Sequence, residues 1–177
     1  METSTPEEIK VGEVRIRFLV EGSQAGGSVA VFEAVVPTGA RAPVAHSHDG
    51  YEETIYGLEG VLTWTVEGTS RDVGPGEVLV IPRGAVHHFD NTRDADARAL
   101  AIVTPGVLGP DFFQEIAAIL DAAVGGPPDL SAIAAVMQRH GLAGMRERIA
   151  VYGGRLEAGP QPAGRFRLRA TLPAKPA

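Results

Sequence analysis

The sequence predicts a mostly β protein built as a sandwich or a small antiparallel barrel. From residue 11 to residue 104, short apolar runs are broken by Gly, Pro, Asp and Asn, and no helical period is sustained for long. Many short strands at close, regular intervals are typical of sandwiches and barrels. After Pro110 the apolar residues change to a helical period, which predicts helices that follow the strands.

Seven strands are predicted from apolar runs that are rich in β-branched and aromatic residues or alternate with polar ones. Clusters of turn residues at 67–70 and 72–76 separate the central strands. The predicted strands cover residues 14–20, 28–36, 54–56, 61–66, 78–81, 87–89 and 98–103.

Two helices are predicted after the strands. Pro110 suits the first turn of the first helix, where its missing N–H is not needed, and the Gly-Gly-Pro-Pro run at 125–128 ends that helix. The second helix covers roughly residues 130–139 and ends at Gly141. Each helix has one apolar stripe, formed in the first by Phe112, Phe113, Ile116, Ile119, Leu120 and Ala123, and in the second by Ile133, Val136 and Met137.

Composition narrows the chemistry and the location. The 177 residues include no cysteine, so neither a disulfide nor a thiolate metal site is possible, and only nitrogen and oxygen ligands remain. The first residues are polar and acidic, unlike a secretory signal, and no apolar run approaches the roughly 20 residues that a membrane span needs. We therefore expect a cytoplasmic protein without a membrane partner.

The charge is distributed unevenly along the chain. The net charge of −6 combines −11 over residues 1–140 with +5 over residues 141–177. Phosphate neutralisation needs clustered cations, which the acidic part lacks. The chain is therefore not expected to bind nucleic acid.

Four residues whose side chains can bind a metal stand in two short segments. The first segment holds His46, His48 and Glu53. Because side chains alternate faces along a strand, His46 and His48 project to the same side and can reach one ion. The second segment holds His87 within a regular series of turn and polar residues: Gly76, Pro82, Gly84 and Asn91.

The spacing of these two segments resembles the paired motifs of the cupin family, H-x-H-x4-E-x6-G and G-x5-P-x-G-x2-H-x3-N. The second motif is matched throughout, whereas Gly39 precedes His46 by one residue more than is usual in the first. The resemblance implies a small antiparallel barrel of the jelly-roll type with helices packed on its outside. It also implies one divalent metal inside the barrel, bound by His46, His48, Glu53 and His87.

Such a ligand set accepts Fe, Mn, Ni, Cu, Co or Zn, and the sequence does not choose among them. Four protein ligands leave one or two positions open in a five- or six-coordinate ion, as catalysis requires. The motifs resemble those of quercetin dioxygenases, which implies oxidation of a chelating enol or catechol-like small molecule, with Glu53 as the proton acceptor. The alternatives are a cupin isomerase or decarboxylase, and a binding or sensing module without turnover.

Residues next to the motifs receive separate interpretations. Alternation allows only one of Glu52 and Glu53 to face the histidines, and the spacing to Gly60 favours Glu53. By the same reasoning His88 faces away from His87, and His140 lies at a helix end, where a cation is favourable. Four aromatic residues are candidates for the pocket beside the ion: Tyr51, Tyr56, Trp64 and Phe89.

The end of the chain has a different character. Residues 141–173 resemble the last part of the ATP-binding domain of sensor histidine kinases, with its last glycine box, a helix and a closing pair of strands. Leu142, Met145 and Ile149 form a helical stripe there, and Gly153 with Gly154 ends it. The magnesium-binding and adenine-reading boxes of that domain are missing upstream, so ATP binding is not predicted.

These patterns predict four parts of the chain. Residues 1–10 are a polar N-terminal segment, 11–108 the barrel, 109–140 the helical extension and 141–177 the kinase-like appendage. A homodimer is expected, because single-barrel cupins usually pair and the apolar stripe after Pro110 would suit an interface. The expected partner besides a second copy is a small-molecule substrate or ligand.

Overall fold

The computed structural model describes residues 8–42, 45–123, 126–144, 155–161 and 165–171. A short 3-10 helix over Gly22–Ala25 and two α-helices, α1 (Pro110–Ala122) and α2 (Leu130–Arg139), accompany the strands. The strands are β1 (Glu8–Val11), β2 (Val14–Val20), β3 (Ala30–Val36), β4 (His46–His48), β5 (Glu52–Glu59), β6 (Leu62–Val66), β7 (Thr69–Val73), β8 (Val78–Ile81), β9 (His87–Asp90), β10 (Ala97–Thr104), β11 (Leu142–Gly144), β12 (Arg155–Gln161) and β13 (Arg165–Thr171).

Most of these strands form two antiparallel sheets. The first sheet has the order β1-β2-β3-β10-β5-β8, and the second has the order β11-β4-β9-β6-β7. Inward side chains of both sheets line one common cavity, so the sheets face each other across it. The prediction of a mostly β jelly roll is confirmed, although the described strands form two open sheets and not a closed barrel.

The first sheet alternates along its central strands. On β10 the inward residues are Ala97, Ala99, Ala101 and Val103, all buried, while the residues between them are more exposed. Full burial of a Val or Ile side chain stabilises the fold by about 1.5–3 kcal/mol. Because alanine side chains are small, these positions leave space between the sheets.

The β6–β7 hairpin differs from the prediction, which had placed turns on both sides of residue 71. The turn is limited to Glu67 and Gly68, whose φ values are 49° and 77°. Two-residue turns with positive φ match the twist of a hairpin and allow strands to begin at once on either side. The polar residues of 69–73 therefore form an edge strand, β7.

Both predicted helices are present. Pro110 is at the first turn of α1, and the Asp129 side chain caps α2 by accepting hydrogen bonds from the amides of Ser131 and Ala132. The ring of Phe113 lies 5.8 Å from that of Phe18 and 5.1 Å from that of Phe32. These edge-to-face contacts fasten α1 to the first sheet.

The two helices also line the cavity between the sheets. Ile116 of α1 and Ile133 and Met137 of α2 are buried and border the same space as the inward strand residues. These apolar residues of the two stripes are therefore used within the chain.

The predicted appendage begins as part of the second sheet. Leu142, which was assigned to a helical stripe, lies instead on β11, where it pairs with His48 of β4. Met145, Ile149, Gly153 and Gly154 lie outside the described residues. The closing pair of strands is present as the antiparallel hairpin β12–β13. No helix in the described ranges is long and apolar enough to cross a membrane.

Candidate metal centre

Strand β4 and the turn that follows it present the first donors. His46 and His48 are two residues apart on β4 and share its inward face. The chain then turns and enters β5, on which Glu53 faces inward and is buried while Glu52 is exposed. Glu52 instead forms an ion pair with Arg83, at 3.3 Å. The choice of Glu53 over Glu52 that the spacing favoured agrees with this placement.

The turn between β8 and β9 positions His87. Gly84 has a φ of 75°, a conformation that side-chain-bearing residues rarely adopt. The amide of Ala85 donates to the carbonyl of Pro82 at 3.1 Å, and the amide of Gly84 donates to the carbonyl of His48 at 2.9 Å. The second segment is therefore tied by its backbone to the first.

Three donor side chains converge between the sheets. The Nε2 atoms of His48 and His87, from the second sheet, each lie 3.4 Å from Oε2 of Glu53, from the first. One ligand atom from each of the three lies within 4.8 Å of the other two. His48 and His87 are each 1% exposed and Glu53 is 9% exposed, so water has little access to hydrogen-bond with these polar groups.

The hydrogen bonds of the imidazoles fix which nitrogen faces the centre. Nδ1 of His48 lies 2.8 Å from the carbonyl oxygen of Tyr51, and Nδ1 of His87 lies 3.0 Å from that of Ala85. A carbonyl only accepts, so each Nδ1 must carry the proton and donate it. In the neutral rings the lone pair is then on Nε2, which is the arrangement found in metal-binding histidines.

The environment of Glu53 keeps its carboxyl ionised. Burial alone would raise the pKa of Glu53, but the close polar and charge interactions of its carboxylate with His48 and His87 lower it below its usual range. Burial likewise opposes the charged form of His87, yet the contact with the Glu53 carboxylate raises the pKa of His87. Burial, with a smaller contribution from the Glu53 charge, raises the pKa of Tyr51 far above its ordinary value.

The donor set fits a divalent transition metal. Nε2 of His87 is buried and has no hydrogen-bond partner within the described ranges. An unsatisfied buried polar atom is costly, and a cation would satisfy this lone pair together with that of His48 and the Glu53 carboxylate. Two imidazoles and a carboxylate suit the metals from Mn to Zn.

His46, the fourth predicted ligand, lies beside the group of three. It pairs in register with His87 across β4 and β9, and the two rings are 4.4 Å apart, centroid to centroid. The distance between the rings of His46 and His48 is 6.3 Å. His46 is half-buried and borders the cavity, but its nitrogens are outside the 4.8 Å group.

The sequence of the central β structure matches a known family model. Residues 32–103 match the model described as "Cupin domain". The matched stretch is therefore similar to a cupin domain. Both segments that carry the donor residues fall within the match.

Two curated relatives are similar to part of this chain. Quercetin 2,3-dioxygenase of Bacillus subtilis is 26% identical over 112 residues, which cover 63% of this chain and 33% of the relative. Germin-like protein subfamily T member 3 of Arabidopsis thaliana is 35% identical over 75 residues, 40% of this chain and 32% of the relative. The chain thus spans about a third of the length of the curated relatives it matches.

Solved structures show the same fold with different chemistry. A predicted oxalate decarboxylase from Thermotoga maritima superposes with a TM-score of 0.53 at 25% identity, covering 58% of this chain and 94% of that one. A polyketide cyclase from Streptomyces resistomycificus gives 0.50 at 25% identity, covering 65% and 89%. A sugar phosphate isomerase from Silicibacter pomeroyi gives 0.51 at 21% identity, covering 59% and 74%, and shows the fold alone.

Three of the four aromatic candidates border the cavity, and one does not. Tyr51, Trp64 and Phe89 line it. The ring of Tyr51 stacks on that of His48 at 3.9 Å. The expectation for Tyr56 is corrected: it is 38% exposed and projects from the outer face of β5, because Glu53 and Ile55 take the inward positions.

Three further polar residues have contacts away from the group of donor side chains. Asn91 is 1% exposed, and its Nδ2 donates to the carbonyls of Val36 and Ala95 at 2.9 Å each. His88 faces away from the cavity and lies 3.5 Å from a carboxylate oxygen of Asp90. His140 is the C-cap of α2, as its place at a helix end predicted.

Sequence reasoning missed much of the cavity wall. The cavity has a volume of about 140 Å³ and is lined mostly by apolar side chains. Inward alanines on neighbouring strands were a readable signal, because small residues on one face leave space there. The wall that comes from α1, α2 and β11 had no such signal, since it depends on how distant segments pack. The lining residues missed include Ala34, Ala99, Ala101, Phe112, Phe113, Ile116, Ile133, Met137 and Leu142.

Proposed function

We propose that this protein is a metal-dependent oxidoreductase of the dioxygenase type that acts on a small chelating enol or catechol-like substrate. The observation that carries the proposal is the convergence of His48 Nε2, His87 Nε2 and the Glu53 carboxylate at one point. His46 is adjacent and would complete a centre of three histidines and one glutamate after a change of its side-chain rotamer. One divalent transition metal is the proposed cofactor, and its identity is left open.

Different residues of the chain would have different roles in the reaction. His48, Glu53 and His87 would hold the metal, and the carbonyls of Tyr51 and Ala85 would keep both imidazoles in the ligating tautomer. The metal would supply Lewis-acid and redox chemistry at this centre. Dioxygen is the oxidant, and both of its atoms would end in the oxidised product.

Glu53 is also the proposed proton acceptor. An enol or catechol must lose a proton to bind as an anion, and Glu53 is the one carboxylate of the three-residue group. Its contacts with the two histidines lower its pKa, so the carboxylate becomes a useful base only when it turns away from them. The apolar wall of the cavity would exclude bulk water from this exchange.

The likeness to a quercetin 2,3-dioxygenase supports the dioxygenase type. The likeness to a predicted oxalate decarboxylase and to a polyketide cyclase favours a reaction without dioxygen, such as decarboxylation or isomerisation, at the same centre. A binding or sensing module would use the same residues without turnover.

Metal analysis tests the centre first. Purified protein grown with supplemented metals is expected to carry about one transition metal per chain, and His48→Ala is expected to lose most of it. His88→Ala is the matched control, because His88 is next to His87 but faces away from the cavity. Wild-type protein without metal, or equal losses in both variants, would refute the proposed centre.

Oxygen uptake then separates the reactions. With the natural metal in place, consumption of dioxygen on addition of catechols, enols or diketones supports the dioxygenase type. Product formation from a substrate without oxygen uptake supports the decarboxylase or isomerase candidate. Stoichiometric binding without product supports the binding module.

A further inference from the structure

Trp64 has a buried polar atom that the described protein does not satisfy. The residue is 5% exposed and projects inward from β6 beside the cavity. Its Nε1–H has no hydrogen-bond partner in the described ranges. Indole N–H groups usually find an acceptor when they are buried, so an orphaned donor at the wall of a cavity points to an acceptor supplied from outside the chain.

The position of Trp64 connects this donor with the proposed metal centre. Its ring lies 6.4 Å from that of His87, centroid to centroid, with the two planes 28° apart. The ring of Phe89 lies 5.0 Å from that of Trp64, at an angle of 51°. A molecule in the cavity next to His87 is therefore also next to Trp64.

The size and lining of the cavity limit what that molecule is. Its volume of about 140 Å³ is close to that of an engineered cavity of about 150 Å³ that holds benzene. The wall is formed largely by aliphatic side chains such as Ile16 and Leu62, with aromatic ones such as Phe89 among them. The space thus suits one mostly apolar ring.

We propose that Trp64 orients the substrate, and that the substrate is a single-ring molecule with two oxygen atoms in different roles. One oxygen faces His48, Glu53 and His87, and the other accepts a hydrogen bond from Trp64 Nε1–H. The inference rests on the proposed function for the role of the first oxygen. The role of Trp64 toward a cavity ligand stands on its own burial and its missing partner.

The chain offers a direct observation of this hydrogen bond. Trp64 is the one tryptophan in the sequence, so a proton–nitrogen correlation spectrum has one indole signal and needs no assignment. We would titrate catechol into the protein loaded with diamagnetic Zn(II) and into the metal-free protein. Acceptance of the indole proton by a catechol oxygen is expected to move the signal downfield in a saturable manner.

Variants test the same contact by affinity. Trp64→Phe removes the N–H and keeps an aromatic ring, and it is expected to weaken catechol binding roughly tenfold in calorimetry. Phe89→Leu is the matched control, since it changes the same part of the wall without removing a donor, and it is expected to weaken binding less. Metal content, measured by elemental analysis, is expected to be unchanged in Trp64→Phe.

The outcomes separate this inference from the proposed function. If the wild-type indole signal does not move with catechol, then a buried water or nothing satisfies Nε1 and the inference is overturned, even where Trp64→Phe fails to fold. Equal affinity of wild type and Trp64→Phe also overturns it. A protein that binds no metal but shows the indole shift refutes the metal centre and keeps the role of Trp64.

Discussion

The amide nitrogen of Gly84 donates a hydrogen bond of 2.9 Å to the carbonyl oxygen of His48. This bond joins the turn before β9 to the end of β4, so the two segments that supply the imidazoles hold each other in place. Gly84 has a φ of 75°, which glycine adopts without strain. The distance between His48 and His87 thus depends on the backbone of a residue that carries no donor.

Gly84→Ala is expected to weaken both the fold and the metal centre. An alanine in the left-handed region costs about 1–2 kcal/mol, and relief of that strain would move the turn away from His48. Metal affinity should fall roughly tenfold, as it does when groups that support ligands are altered. Denaturant unfolding and metal titration measure the two effects separately.

Gly76→Ala is the control for that experiment. Gly76 has a φ of 80°, so alanine meets a similar strain there. The amide of Gly76 donates to the carbonyl of Gly57, however, and not to that of His48. It is expected to lose similar stability and to keep its metal affinity. A similar loss of metal in both variants would show that the Gly84–His48 bond has no special part in the centre.

Glu53→Gln is expected to release the metal, while Glu52→Gln is not. The amide of glutamine cannot supply the negative charge that offsets a divalent ion, so affinity should fall at least about 10- to 100-fold. Glu52 is adjacent and equally charged, but it is exposed and paired with Arg83. Metal titration of both variants at one pH checks this, and retention of metal by Glu53→Gln would argue against a ligand role.

The candidate site was readable in the sequence because strand alternation and fixed turns are local rules. His48, Glu53 and His87 came together as the spacing of the two segments implied. The position of His46 was not decided in the same way. Its strand face is inward, as alternation requires, but its reach toward the centre depends on a rotamer that sequence spacing does not determine.

The errors have a different cause, which is packing between distant parts of the chain. Leu142 continues a helical pattern, but it is within reach of the edge of β4 and gains more by pairing with His48 and being buried there. Tertiary contacts override such short patterns. The same holds for Ile133 and Met137, whose stripe predicted a helix correctly but could not identify the surface that covers it.

Glu115→Gln is expected to destabilise the protein near neutral pH and much less in acid. Hydrogen bonds from His140 and Arg139 lower the pKa of Glu115 below its ordinary value of 4.5. A carboxyl with a lowered pKa stabilises the fold above the unfolded pKa, and that contribution is lost as pH falls through the folded pKa. The melting temperatures of wild type and variant should therefore differ at pH 7 and converge below about pH 4.

The hydrogen bonds of Glu115 with Arg139 and His140 join α1 to α2. They matter because Ile133 and Met137 of α2 line the cavity. Asp121→Asn removes an exposed carboxyl from the same helix and serves as the control. Its melting temperature should track that of wild type across the pH range. A constant offset of Glu115→Gln at all pH values would mean that the ionised carboxyl is not the cause.

Val80→Glu is expected to convert a homodimer into a monomer. Strand β8 is the edge of the first sheet, and its Val78 and Val80 are 46% and 56% exposed, beside Tyr56 at 38%. Exposed apolar edge strands favour pairing with another chain, and a buried, unpaired charge opposes it. Light scattering should give twice the mass of one chain for wild type and a single-chain mass for the variant.

Leu130→Glu distinguishes this edge from the helical surface. Leu130 is 63% exposed on α2, so the same charge is added to an equally apolar position away from β8. It should remain dimeric, because Leu130 lies apart from the cluster of exposed apolar side chains on β5 and β8. Dissociation by Leu130→Glu alone would place the interface on the helices, and a monomeric wild type would exclude pairing through either surface.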